Sequence, residues 1–372
     1  MDSILSIAID ARPLAFPCSG IARYTSNLLR EFASQDSPHR IFLYSDRPFD
    51  LGFPRPKHWK VRVGKVSIRG LSAAFAQVFF PIWALMDGIE AFWSPSLHLP
   101  LLLPPSIRKV ITVHDMVWKR FPETAMRNVR FNGALLMPLS LSIADHVIAV
   151  SNFTRSEIVA LFPNTKNKIR VVYEASGLIA RETIGLCPQT SPYFLFVGSN
   201  EPRKNLKSLL LAYLEYRKLC PNPIDLVMAG SYQWGDFRVS DFVSINKLDS
   251  HVRQIQGADD SQLCALYAHA RALVMVSLYE GFGLPLVEAM QWGVPLIASN
   301  NSAVAEIAGN AALLVDPLDT VAIAEAFRRL TEDEATRLRL ANNAKARGRA
   351  FSWKQAATET MALITGTPEL QN

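Results

Sequence analysis

Glu280 and Glu288, with seven residues between them, bracket a Gly-Phe-Gly turn in LYEGFGLPLVEAMQWGVPLIASN, residues 278–300. A carboxylate accepts hydrogen bonds from hydroxyls, so two carboxylates around one bend can hold different parts of a polyhydroxylated ligand. Gly281 and Gly283 let the backbone turn tightly and approach a ligand closely. Pro285 suits the first turn of a helix and Gly293 its stop. With ALVMVSL before it, the segment parses as strand, turn, helix, strand. A helix N-terminus at the carboxyl edge of a parallel strand favours an anion such as phosphate. The competing reading of these residues is a glycine-rich turn with capping glutamates.

Three further groups have chemistry in reach. Arg203 and Lys204 follow VGSNEP at the end of a strand. Arginine offers a planar fork and lysine a point charge, a pair suited to a diphosphate; on an isolated loop the same pair is merely solvated. His114 ends the strand KVITV and precedes Asp115, at the sheet edge where open α/β folds bind ligands. The alternative is a histidine hydrogen-bonded to its surroundings without chemistry, and a general base is not assigned here. Gly20, in CSGIARY, lies between the first strand and its helix. Its amide can approach a phosphate or an acceptor and its loop can close over a donor; an ordinary strand-helix turn is the alternative. The remaining histidines lack metal-ligand spacing and no D-x-D occurs, so no divalent ion is expected.

The elements that must position these groups alternate. ILSIAI, IFLYS, IEAFWS, KVITV and HVIAV read as strands; GIARYTSNLLREFAS, 71–86, 124–143 and 152–162 read as helices. The helix at 71–86 is expected in the core. Residues 173–192 have little periodicity and end in CPQTSP, as in a crossover between domains. Alternation restarts with YFLFVGS, LKSLLLAYLEYRKL, IDLVMAG, VRQIQG, SQLCALYAHA, ALVMVSL, the helix after the turn, VPLIAS and AALLVD; 325–349 has the charge of a solvated terminal helix. Strand-helix alternation implies parallel sheets covered on both faces. No G-x-G-x-x-G follows the first strand and no Walker A string occurs, so the usual dinucleotide and ATP fingerprints are missing.

Length and composition set the bounds. The 372 residues suit two domains, and 49% hydrophobic with 19% charged residues is a globular composition. Cys18, Cys187, Cys220 and Cys264 lie far apart, which speaks against a disulfide or zinc framework and for a reducing cytoplasm. The opening ILSIAI runs into Asp10 and Arg12 and reads as a buried strand, not a secretory leader. The longest apolar run, 72–86, is shorter than the roughly 20 residues of a spanning helix. A net charge of +6 suggests anionic partners; without a basic run or a recognisable motif, nucleic acid is not expected. Residues 116–131 mix Lys119, Arg120, Arg127 and Arg130 with Trp118, Phe121 and Phe131. That mixture suits either an anionic membrane surface or a solvated face.

Taken together, the strings carry a resemblance. EGFGLPLVE, followed by a Gly-Val-Pro strand, resembles the E-x7-E signature of retaining glycosyltransferases of family four, which have the GT-B fold. FVGSNEPRKNLKSLLLAY resembles that family's phosphate-binding segment, SGIARYTSNLL its N-terminal glycine loop and TVHD its His-Asp strand end; NNSAVAEIAGNAALLVDPLD and FSW also fit. One departure is Ser199, where many members carry an arginine after the strand glycine; Arg203 is expected to supply that charge.

The resemblance implies two Rossmann-like parallel-sheet domains facing across a deep cleft. An acceptor domain spans 1–172, a crossover 173–192 and a nucleotide-sugar domain 193–350, with 351–372 a helix returning to the first domain. It implies metal-independent transfer of a hexose, with retention, from a nucleotide diphosphate sugar to a lipid-linked saccharide of O-antigen or exopolysaccharide. By likeness to bacterial mannosyltransferases the sugar is mannose or a 6-deoxymannose, GDP-linked. Catalytic residues would be His114, contacting the transferred sugar, with Glu280, Lys204 and Arg203. Gly20, Phe282, Gly283, Leu284 and Glu288 would bind donor along with the cations, Glu288 at the ribose. The expected place is the cytoplasm, peripherally on the inner membrane face. Two rivals remain at this point: a non-hydrolysing sugar-nucleotide epimerase, and a catalytically silent nucleotide-sugar-binding subunit of a polysaccharide assembly complex.

Overall fold

The computed structural model describes residues 4–17, 19–35, 37–66, 71–96, 98–124, 127–178, 187–230 and 235–367. The chain divides into two units, Met1–Glu174 with Ser352–Asn372, and Ala175–Phe351. Part of the expected crossover, 179–186, lies outside the described residues.

The first unit runs β1 (Ser6–Asp10), α1 (Gly20–Ser34), β2 (Arg40–Ser45), β3 (Lys60–Val63), α2 (Ser72–Met86), β4 (Ala91–Ser94), β5 (Arg108–Val113), α3 (Val117–Arg120), α4 (Arg127–Ile143), β6 (His146–Ala149), α5 (Asn152–Leu161) and β7 (Ile169–Val171). The second runs β8 (Tyr193–Val197), α6 (Leu206–Leu219), β9 (Asp225–Ala229), α7 (Val239–Ile245), β10 (Val252–Ile255), α8 (Asp260–His269), β11 (Ala272–Met275), α9 (Leu284–Gln291), β12 (Leu296–Ser299), α10 (Ser302–Ala308), β13 (Ala312–Val315), α11 (Thr320–Glu332) and α12 (Glu334–Gly348). The last helix, α13 (Trp353–Thr365), packs on α1, β4 and β5 of the first unit.

Both sheets are parallel. Their orders are β3-β2-β1-β4-β5-β6-β7 and β10-β9-β8-β11-β12-β13. β1 is buried along its whole length, as a strand covered on both faces must be. β8 pairs β9 from Tyr193 opposite Asp225 to Val197 opposite Ala229, and β11 on its other side through Phe194 opposite Ala272. Helix starts are set locally: Ser19 Oγ accepts the Ala22 amide at 3.2 Å, and Asp259 with Gln262 forms a capping box on α8. The second core joins β8, α6 and α11 through Phe194, Tyr213, Tyr216 and Phe327, with Phe194 and Phe327 centroids 4.6 Å apart. Truncating such a ring to alanine costs about 3–5 kcal/mol.

Three differences from the sequence reading have physical causes. β3 is an exposed edge strand that alternates charge with valine, and β7 has only three residues, so neither shows an apolar run. The charged stretch at 325–349 is two helices, not one. Asp333 ends α11, and its carboxylate accepts the Thr336 amide at 2.9 Å to start α12. α2 is not wholly a core helix. Ala76, Phe80 and Ala84 face the core, while Val78, Phe79, Ile82, Leu85 and Met86 form an exposed stripe, Leu85 at 67%. A helix lying on a sheet buries one side only, and this one is apolar all round.

Candidate active site

The strand order of the second unit reverses between β8 and β11, the point where open α/β sheets leave a crevice beyond the strand ends. The loops leaving those strands carry Arg203, Lys204 and Glu280. After β8 the backbone passes very close to its neighbour: a Cβ on Gly230 would lie 1.9 Å from the Gly198 carbonyl oxygen. The chain then makes a 3-10 turn over Pro202–Lys204. Asn205 closes it in the left-handed region, at φ 59°, which asparagine tolerates better than most side chains. The Asn205 amide donates to the carbonyls of Val276 at 3.1 Å and Pro317 at 2.6 Å. The Leu278 amide donates to the Arg203 carbonyl at 2.8 Å. These bonds join the two loops and bring residues 76 and 77 positions apart into contact.

Glu280 sits between the cations. Its carboxylate lies 2.7 Å from Lys204 Nζ and 2.7 Å from Arg203 Nη1. Arg203 Nε also donates to Glu201 at 2.9 Å. Glu280 and Lys204 are each only 7% exposed. The Glu280 amide donates to Ser302 Oγ at 3.3 Å, and its carbonyl accepts the Ala303 amide at 3.2 Å. Burial works against charge on Glu280, but Arg203, Lys204 and the Ser277 hydroxyl outweigh it and bring the carboxyl down to about 2. Such a group is ionised at neutral pH and has no proton to give.

Gly283 caps α9 with φ 105°, and an added Cβ would press on Leu286 at 3.0 Å. Pro285 is in the first turn of α9, and Gly293 follows its end with φ 67°. Leu284 opens the helix, and the Phe282 ring is buried edge-on against Phe351, centroids 5.9 Å apart. Glu288 is 3% exposed, and its carboxylate accepts the Tyr267 hydroxyl of α8 at 2.7 Å. The two glutamates thus have different partners: the cations for Glu280 and a phenol for Glu288.

His114 and Gly20 belong to the first unit. Gly20 is the exposed first residue of α1. His114 follows β5, with Nδ1 2.9 Å from Glu174 Oε1 and Nε2 2.9 Å from the Pro95 carbonyl oxygen. Burial disfavours charge on the ring; Glu174, with the Pro95 carbonyl and Asp115, more than reverses this and raises its pKa. Asp115 accepts the Val117 amide at 3.0 Å.

Within residues 116–131, Trp118 is buried against Met137 rather than displayed. Arg120 forms a two-pronged pair with Glu157 at 2.5 and 2.9 Å; the Arg127 side chain lies outside the described residues. Trp118, Lys119, Pro122, Arg130, Phe131 and Ala134 line an open groove of about 510 Å³. Phe131, Leu135 and Leu139 form an exposed stripe along α4.

Four residues with structural parts in these sites were not singled out from sequence: Asn205, Ser302, Tyr267 and Glu174. Asn205 stands beside the cations in EPRKN, so adjacency was its signal. Tyr267 looks like any aromatic on a core helix, and Glu174 falls in the stretch without periodicity.

Comparison with known proteins follows the same division. Residues 18–175 match the family model for Glycosyltransferase Family 4, and 183–347 that for Glycosyl transferases group 1. Over 385 aligned positions the chain is 30% identical to O-antigen chain mannosyltransferase B of Escherichia coli, covering 96% of this chain and 98% of that protein. The chain belongs to glycosyltransferase family 4. The glycosyltransferase is also 28% identical to the O-antigen chain mannosyltransferase RfbU of Salmonella typhimurium, over 58% of this chain and 59% of that one. Sucrose-phosphate synthase of Thermosynechococcus elongatus matches its structure with a TM-score of 0.73 at 20% identity, covering 96% of this chain and 98% of that chain. WaaG, a glycosyltransferase involved in lipopolysaccharide biosynthesis, matches with a TM-score of 0.71 at 14% identity, covering 97% and 100%. These structural likenesses show the fold: the two Rossmann-like units are the halves of a GT-B glycosyltransferase.

Proposed function

We propose that the enzyme transfers mannose or a 6-deoxymannose, with retention, from a GDP-linked donor to a lipid-linked saccharide. The observation that carries this reading is the cluster of buried Lys204 and Glu280 with half-buried Arg203 at the reversal point of the second sheet. Two cations held this close suit the diphosphate that leaves as the glycosidic bond breaks, and stabilising that charge lowers the barrier. The choice of sugar rests on the mannosyltransferase relatives.

In this reading Lys204 and Arg203 bind the diphosphate, joined by main-chain amides at Gly283 and Leu284 where α9 begins. Phe282 fixes that turn through its ring. Once the cations turn to phosphate, Glu280 is released to hold sugar hydroxyls and to face the positive charge growing at the reacting carbon. Glu288 takes the ribose, and Tyr267 orients its carboxylate. Gly20 would contact donor or acceptor, and His114 the transferred sugar. No residue is assigned as a metal ligand.

The acceptor's lipid would place the enzyme peripherally on an anionic leaflet, through its first unit. Two apolar stripes support this: Val78, Phe79, Ile82, Leu85 and Met86 on α2, and Phe131, Leu135 and Leu139 on α4. Both helices pack on one core cluster by their inner faces. The loop between them ties to Gln77 and Ser140, and its Leu102 is 75% exposed. Lys119 and Arg130 beside the α4 groove supply the basic rim an acidic bilayer attracts.

Titration calorimetry against GDP, UDP, ADP and dTDP tests the donor. GDP should bind at least tenfold more tightly than the others, and preference for another base rejects the assignment. Sedimentation with vesicles rich in acidic lipid tests the surface. Ile82→Glu with Leu135→Glu should abolish co-sedimentation while leaving the melting temperature unchanged; undiminished binding rejects this face.

A further inference from the structure

We propose that Glu174 is a positioning residue that fixes His114 as a doubly hydrogen-bonded cation, with both ring nitrogens closed to proton transfer. Nε2 faces an acceptor. Its neighbour at 2.9 Å is the carbonyl oxygen of Pro95, which can only accept, so Nε2 carries a hydrogen. With that hydrogen in place, Nδ1 faces the Glu174 carboxylate at 2.9 Å. A lone pair there would oppose the carboxylate's own lone pairs, so a proton must lie between them. Imidazole is the more basic of the two groups, so the ring holds that proton and the carboxylate accepts its hydrogen bond.

The surroundings hold the ring in that pose. The Glu174 and His114 side chains are 4% and 13% exposed, so water competes weakly for either. Tyr24 of α1 meets the imidazole edge-on, centroids 4.7 Å apart and planes at 89°. Tyr24 is itself pinned to Thr112 of β5 at 3.2 Å and packed against Trp353 of α13. Thr154 of α5 donates to the His114 carbonyl at 3.3 Å. Among the described residues, Glu174 and, on its own segment, Asp115 both favour charge on the ring. Tyr24 is a further titratable neighbour, and burial pushes its hydroxyl up, so it stays neutral.

The consequence concerns the reaction and rests on His114 being at the transfer site. A ring with no open lone pair cannot take the acceptor's proton, and one with both hydrogens committed cannot donate one. What it supplies is a fixed positive charge at the carboxyl end of β5, of the sign that favours a departing diphosphate. Glu174, where the chain first leaves the first unit, acts through the histidine and need not touch substrate.

The test is nitrogen-detected NMR of the full chain with labelled histidine, the His114 signals identified by their loss in His114→Gln. In the wild type both ring nitrogens should stay protonated above the ordinary histidine midpoint of about 6.5. Glu174→Gln should lower the midpoint by about one to three pH units, and Glu174→Asp should restore part of the fall. In kinetics, Glu174→Gln should gain a loss of kcat at high pH that tracks its new His114 midpoint, with KM for donor little changed. A neutral ring in the wild type at pH 7, or a midpoint unmoved by Glu174→Gln, overturns the proposal. Should the Gln variant fail to fold, the wild-type titration alone decides. The NMR result needs no donor or acceptor, so a wrong donor assignment leaves it intact.

Discussion

Replacing Glu280 by glutamine should weaken the folded enzyme yet tighten its grip on a nucleoside diphosphate. The structure sets the size of both effects. Glu280 is buried, with Lys204 and Arg203 each 2.7 Å away. Its carboxyl is held at about 2 against an ordinary 4.5, a difference worth about 3 kcal/mol of stability at neutral pH. The sign follows from the depression: this stability is full above 4.5 and is lost as pH falls toward 2. Removing one member of a buried ion pair costs a similar amount, about 3–5 kcal/mol. For a unit of this size, about 3 kcal/mol lowers the melting temperature by roughly 6–12 °C. Arg203 keeps Glu201 in the variant, so Lys204 bears most of the loss. With the diphosphate on these cations as proposed, it would have to draw both away from Glu280 in the wild type, and in Glu280→Gln it would not. GDP should therefore bind about 10- to 100-fold more tightly by calorimetry and should restore the lost melting temperature. Transfer should fall at least about 100-fold, since the charge proposed to face the reacting carbon would be gone. A variant that melts with the wild type and binds GDP no better refutes the reasoning, because Glu280 would then not be the cations' resident counter-charge.

Other expectations follow from the same geometry. Lys204→Ala should abolish most transfer and weaken GDP binding by about 10-fold or more; near-normal turnover would remove its phosphate role. Glu288→Ala should raise the donor KM with a smaller effect on kcat, and Tyr267→Phe should reproduce part of that rise; equal losses in kcat and kcat/KM would instead place Glu288 in the transition state. Chelation with EDTA should leave the transfer rate unchanged, and a collapse that manganese restores would show a metal requirement.

Sequence alone determined the features written in local pattern. Apolar runs between glycine and proline breaks marked the central strands of both sheets, and amphipathic spacing marked α1 and α6, because a strand buried on both faces and a helix buried on one leave those periods in the chain. The site strings were legible for the same reason: Gly283, Pro285 and Gly293 are demanded by backbone geometry wherever the turn and helix occur. The short edge strands β3 and β7 and the two-turn helices α7 and α10 were not legible, since an edge or a brief helix needs few apolar residues. Tertiary structure alone decided who meets whom. Nothing near position 280 announces that Glu280 will sit between cations 76 and 77 residues away, nor that Glu174 will hold His114 across 60. It also decided which side of α2 faces outward, because a helix apolar all round has no amphipathic face for the sequence to reveal. Ion pairs and outward stripes depend on distances between elements, and those are fixed only when the sheets and helices pack.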